Sequence, residues 1–174
     1  EKPSFVPKIA QFIERIAEWC PFVKALDFEI HSSNTFPHSA GIASSASGMS
    51  ALALCVCSIE EQVNEALQTE IAFYRKASFL ARLGSGSACR SLYGGLVSWG
   101  QSQYIDGSSD LYGTDVSDQV HDVFKTYRDT ILIVDNAEKK VSSTIGHGLM
   151  DNNPFSAQRF AQAEDNMGKI MNVL

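Results

Sequence analysis

The 174-residue chain is expected to be an α+β protein whose helices pack against a mostly antiparallel sheet. Three observations predict this class. Residues 7–20 repeat their apolar side chains at helical spacing. Residues 26–30 alternate apolar and polar side chains, as a half-buried strand does. Helical and strand-like stretches then alternate along the chain, without a repeat or an internal linker. Hydrophobic content of 44% and charged content of 20% suit a folded domain with a core of its own. The formal net charge of −6 argues against nucleic-acid or anionic-membrane partners, which require a basic face. No apolar run approaches the roughly 20 residues that span a bilayer. No signal peptide is evident. Cys20, Cys55, Cys57 and Cys89 have no zinc-ligand spacing and are expected to be buried free thiols of a cytoplasmic protein.

In the first helix, Ile9, Phe12, Ile13, Ile16 and Trp19 form the apolar face, with Lys8, Gln11, Glu14, Arg15 and Glu18 opposite. The strand at 26–30 runs into a loop at 34–48 that carries no formal charge apart from His38. In that loop Pro37 fixes its own φ and extends Phe36, and Gly41 allows a tight turn. Ser44-Ser45-Ala46 can open a helix whose first backbone N–H groups face an anion. Residues 49–56 are apolar nearly all round, which predicts a central, buried helix. Ser58-x-x-Glu61 has the form of a capping box that restarts a helix running to about Arg82. Arg75, Lys76 and Arg82 suit either the end of a helix dipole or a solvated face. Gly84 is expected to end that helix in a left-handed cap.

Ser85-Gly86-Ser87 then turn and open a short new helix, a second small-residue cradle. Arg90 lies about one turn in, where a guanidinium can grip a carboxylate or phosphate through two bonds. Gly94-Gly95 break the helix, and 96–99 form a strand. Residues 101–122 are rich in Gly, Ser and Asp and read as a solvated excursion. Asp106, Asp110, Asp115, Asp118 and Asp122 lack calcium-loop spacing. Residues 130–134 are an apolar run expected to be a buried strand. Ser142 or Ser143 can cap a helix through His147. Asn153 and Pro154 open a last helix with an apolar stripe of Phe160, Ala163, Met167, Ile170 and Leu174. His31, His121 and His147 show no triad or ligand spacing.

Pro37-x-x-x-Gly41-Ile42-Ala43-Ser44-Ser45-Ala46 resembles the phosphate loop of the GHMP kinase superfamily. The longer string from Asn34 to Gly48, and more specifically Gly84–Arg90, resembles the diphosphomevalonate decarboxylase family. Ile42 and His38 stand where that family most often carries Leu and Thr. The resemblance covers nearly the whole chain, most densely at 34–48, 83–99 and 129–147.

The resemblance implies a GHMP-kinase-like fold and ATP-dependent decarboxylation of mevalonate 5-diphosphate to isopentenyl diphosphate, with ATP and Mg2+ as cofactors. Pro37, Gly41, Ala43, Ser44, Ser45 and Ala46 are the expected ATP contacts. Ser85, Gly86, Ser87, Ala88, Cys89, Arg90, Ser143 and Thr144 are the expected substrate contacts, with Arg90 orienting the carboxylate that is lost. The family's catalytic Asp, in a later Asp-x-Gly-like segment, has no counterpart here, nor does its N-terminal Lys-bearing segment. The chain is therefore expected to be the central part of a longer catalytic domain and inactive alone, and the full enzyme is open to forming a homodimer. The alternatives are a GHMP small-molecule kinase that stops after phosphorylation, such as a mevalonate or homoserine kinase, and a non-catalytic phosphate-binding domain.

Overall fold

Three helices pack their apolar faces around one core. The computed structural model describes residues 5–36, 42–132, 146, 148–150 and 152–174. Helix α1, Val6–Ile16, begins with Pro in its first turn and buries Phe12 and Ile16, two of the positions that the helical spacing marks. Helix α2, Ser44–Glu61, buries Met49, Ala53, Val56, Cys57 and Glu60. Ala51, Cys55, Ser58 and Ile59 are exposed, so α2 is one-sided rather than buried all round. It also runs without a break through Ser58, and the expected capping box there does not form. The break falls later, and the cap that opens helix α3, Glu70–Gly84, is Thr69, whose hydroxyl accepts a hydrogen bond from Ala72 N–H.

Helix α3 buries Ala77, Ser78, Leu80 and Ala81. Gly84 is its last residue, and among the described residues the left-handed glycines are Gly95, Gly100 and Gly107 instead. Gly84 answers to packing. A Cβ there would lie 2.7 Å from Met49 Sδ and 2.8 Å from Phe12 Cδ2, where the three helices converge. Phe12, Ile16, Val23, Met49, Ala53, Val56 and Leu80 share this core. The Arg15 guanidinium closes its open end by donating to the Leu83 carbonyl at 2.9 Å.

Strand β1, Val97–Trp99, lies where the sequence predicts it. It pairs antiparallel with β2, Gly113–Asp115, so that Val97 faces Asp115 and Trp99 faces Gly113. Residues 101–122 are more than half exposed, yet they are not wholly a solvated excursion. Ile105, Val116 and Val120 form a second buried cluster, packed by Leu96, Phe124, Met167, Met171 and Leu174. The polar composition misleads because its hydroxyls and carboxylates serve local turns. Ser108 Oγ accepts from Ser102 N–H, and Asp115 accepts from both the N–H and the hydroxyl of Ser117.

Helix α4, Ser156–Met171, closes this cluster. It starts two residues beyond the expected position, because Asn153 instead accepts from Phe155 N–H and shapes the entry turn. Its packed edge is Glu164, Met167, Gly168 and Met171. A Cβ on Gly168 would lie 2.6 Å from the Tyr104 ring, and Glu164 accepts from Ser102 and from Gln103 N–H. Met167 and Leu174 of the expected stripe belong to this contact, whereas Phe160, Ala163 and Ile170 are exposed.

The expected strand at 26–30 is absent, and the described part of the one at 130–134 is not a strand. Leu26, Phe28 and Ile30 are about 40% exposed (44%, 36% and 39%), and Ile131 and Leu132 are more exposed still. Residues 26–30 and 130–132 have no strand structure. Alternating or continuous apolar side chains make a strand only where another backbone accepts the ladder, and no described segment pairs with either. The class is helix-rich α+β, and the described sheet has two antiparallel strands. Pro37, His38, Gly41, residues 133–134, Ser142, Ser143, Thr144 and His147 lie outside the described residues.

Candidate functional site

The chain enters α2 through Ala43, which sits in the left-handed region at φ 52° and ψ 35°. For a residue with a Cβ this costs about 1–2 kcal/mol. Alanine at the N-cap has no side chain to satisfy the first-turn N–H groups, and that turn holds no acidic residue. Ala43 itself supplies no side-chain cap, and the start of α2 keeps the positive end of the helix dipole. Ala43 is exposed, Ser45 half-buried, and Ser44 and Ala46 are buried.

The second cradle lies beside the first. Ser45 Oγ and Ser85 Oγ are 3.5 Å apart, at hydrogen-bonding distance across 40 residues of chain. Ser85 is extended, and Gly86–Arg90 follows as a short 3-10 helix. Gly86 packs closely under the Trp99 ring, which would lie 3.0 Å from a Cβ and would have to shift to admit one. Ala88 and Cys89 are fully buried, main chain included, so they anchor the turn from inside and present no surface to a ligand. Gly86 and Arg90 are exposed, and Ser85 and Ser87 half-buried. No hydrogen bond or ion pair engages the Arg90 guanidinium among the described residues.

Two buried serines pin this turn, and the sequence reading missed both. Ser50 of α2 places its hydroxyl 2.7 Å from the Ala46 carbonyl and 3.0 Å from the Ala88 carbonyl. Ser78 of α3 donates to the Cys89 carbonyl at 2.7 Å and accepts from Gly113 N–H at 2.8 Å. Their one signal in the sequence is a hydroxyl among the buried positions of an apolar helix. Gly113 completes the contact, because a Cβ there would come within 2.7 Å of the Cys89 carbonyl.

Three of the four thiols are buried, as expected, and Cys55 is exposed. Burial pushes Cys89 up to about 11, against a partial offset from Arg90 and Arg82. Cys20 and Cys57 rise to about 12, chiefly through burial. None of the three is a ready nucleophile at neutral pH. The basic cluster of α3 is structural. Lys76 pairs with buried Glu60, Arg75 lies over the Tyr112 ring, and Arg82 donates to the Leu111 carbonyl. Burial works to raise Glu60, but hydrogen bonds from Lys76 and Asn64 outweigh it and hold the carboxyl below its ordinary value. An open groove lined by Ala72, Arg75, Lys76, Phe79, Leu111 and Tyr112 contains none of the predicted site residues. Among the described residues no helix is long and apolar enough to cross a membrane.

Known proteins match the chain across both cradles. The family of diphosphomevalonate decarboxylase-like N-terminal domains matches residues 2–111. The diphosphomevalonate decarboxylase of Eremothecium gossypii is 37% identical over 134 residues, which are 77% of this chain and 29% of that protein. The Aspergillus fumigatus enzyme is 37% identical over 143 residues, 82% of this chain and 33% of the relative. The human one is 37% identical over 131 residues, 72% of this chain and 28% of the relative. The chain thus spans about a third of the length of these relatives. The match takes in the start of α2, the Gly86–Arg90 turn and the serines that join them, and on it the chain belongs to the family of diphosphomevalonate decarboxylase-like N-terminal domains.

Proposed function

We propose that these residues are part of the catalytic domain of an ATP-dependent diphosphomevalonate decarboxylase with a GHMP-kinase-like fold. The observation that carries this reading is the approach of Ser45 to Ser85 at 3.5 Å. A phosphoryl donor held at the start of α2 and an acceptor held at the Gly86–Arg90 turn would be neighbours, as direct transfer requires.

The start of α2 fits a nucleotide's phosphates. It offers the positive end of a helix dipole, small side chains and no acidic residue in its first turn. Ala43, Ser44, Ser45 and Ala46 would hold ATP there, with Pro37 and Gly41. ATP supplies the phosphoryl group that turns the tertiary hydroxyl of mevalonate 5-diphosphate into a leaving group. Magnesium is proposed to be held through the phosphates, since the described residues contain no group of three or more His, Cys, Asp or Glu able to cage it.

Ser85, Gly86 and Ser87 would bind the substrate's diphosphate, with the buried Ala88 and Cys89 anchoring the turn through Ser50 and Ser78. Ser143 and Thr144 are proposed to line the same pocket. Arg90 would orient the carboxylate through its two-pronged fork, so that the bond to carbon dioxide breaks as phosphate leaves. The chain's own work is positioning and charge complementarity. The remaining acid–base groups belong, on this reading, to other parts of a cytoplasmic enzyme.

The two-cradle assignment has a direct test. In the full-length protein, Ser45→Leu should weaken ATP binding at least tenfold while substrate binding changes little, and Ser85→Leu should do the reverse. Calorimetric titration of each ligand checks both. Unchanged affinities in folded variants would remove the two loops from the site.

A further inference from the structure

The hydroxyl of Ser50 is a buried side-chain bridge between α2 and the Gly86–Arg90 turn. Ser50 is 4% exposed. Its single proton has two acceptors, the Ala46 carbonyl of its own helix at 2.7 Å and the Ala88 carbonyl of the turn at 3.0 Å. Ala46 belongs to the first turn of α2, and its N–H bonds to the carbonyl of left-handed Ala43. Ala88 lies two residues before Arg90, and its carbonyl also accepts from Ser91 N–H. Removing the Ser50 hydroxyl leaves the Ala88 carbonyl with Ser91 N–H and the Ala46 carbonyl in the hydrogen-bond ladder of α2.

We infer that Ser50 is a positioning residue that couples occupancy of the start of α2 to the placement of the Gly86–Arg90 turn. A ligand that tightens the first turn of α2 moves the Ala46 carbonyl, and the shared proton transmits the change to Ala88. Ligands in the two cradles then bind with mutual assistance. Ser78 holds the neighbouring Cys89 carbonyl from α3 and β2, with no bond to α2, and so serves as the control. This inference rests on the proposed function for the identity of the two ligands.

The test is the affinity of the full-length enzyme for mevalonate 5-diphosphate, measured by calorimetry with and without a non-hydrolysable β,γ-imido analogue of ATP. In the wild type the analogue should tighten the substrate by about fivefold or more, within the usual span of coupling between sites. Ser50→Ala should cut that factor below about twofold while each ligand alone binds within about twofold of wild type. Ser50→Thr, which retains the hydroxyl, should restore it. Ser78→Ala should keep the coupling even where it lowers thermal stability. Full coupling in Ser50→Ala, or equal loss in Ser78→Ala, would overturn the inference. If Ser50→Ala does not fold, Ser50→Cys, a weaker donor of similar size, must show an intermediate factor. A wild type that binds both ligands without coupling refutes the role of Ser50 alone, whereas one that binds neither refutes the proposed function itself.

Discussion

Arg90 ends the Gly86–Arg90 turn with its guanidinium exposed and, among the described residues, without a carboxylate beside it. The two other arginines near this part of the fold have structural work, Arg75 against Tyr112 and Arg82 at the Leu111 carbonyl. If Arg90 holds the substrate carboxylate, Arg90→Lys keeps the charge and loses the fork. Loss of a charge-assisted bidentate contact should cost roughly 2–4 kcal/mol, about 30- to 1,000-fold in kcat/KM. ATP affinity should stay near wild type, because the nucleotide is assigned to the start of α2. Kinetics of Arg90→Lys and Arg90→Ala, with thermal melting as a folding control, decide this. Effects within about 0.5 kcal/mol, as for an ordinary surface residue, would take Arg90 out of the site. The motif made Arg90 and the small residues around it visible in the sequence. Ser50 and Ser78 were not visible, because their roles exist only once α2, α3 and the turn have met.

At the scale of elements, the helices were the legible part. Apolar spacing located α1, and the small-residue string before Met49 located the start of α2, since both signals are local. Residues 26–30 and 130–132 carry strand-like patterns as clear as any in the chain, yet they form no ladder. Strand formation depends on a second backbone, and the pattern of one segment does not contain its partner. The polar 101–122 stretch misled in the opposite direction, by hiding Ile105, Val116 and Val120 among turn-forming hydroxyls. The join between helices makes its own prediction. Glu60 of α2 is buried and accepts from Lys76 of α3, from Asn64 and from the Cys20 thiol beyond α1. Its carboxyl is held below the ordinary value. Such a group stabilises the fold fully above the ordinary glutamate range, and that contribution is lost as pH falls through its folded value. Melting curves of the full-length protein should therefore fall more steeply between about pH 5 and pH 3 in wild type than in Glu60→Gln. Lys76→Met should be destabilising at neutral pH by roughly 3 kcal/mol, because it strands a buried carboxylate. Parallel pH profiles for wild type and Glu60→Gln would mean that the pair carries no linkage.

On the scale of the whole molecule, two apolar clusters hold the candidate site between them. The three-helix core fixes the start of α2, and the β-hairpin cluster under α4 backs the Gly86–Arg90 turn through Gly113 and Trp99. The chain spans about a third of its relatives' length. Residues 1–174 alone are expected to release no carbon dioxide from mevalonate 5-diphosphate and ATP, and sustained release by the purified 174-residue chain would refute that expectation. The most direct measurement uses the full-length protein with ATP, magnesium and mevalonate 5-diphosphate, following ADP, phosphate and carbon dioxide in the same reaction. One of each per turnover is expected, together with isopentenyl diphosphate. ADP formed without carbon dioxide would identify a kinase, and no turnover in a folded protein that still binds phosphates would identify a binding domain; either result would contradict the decarboxylase reading.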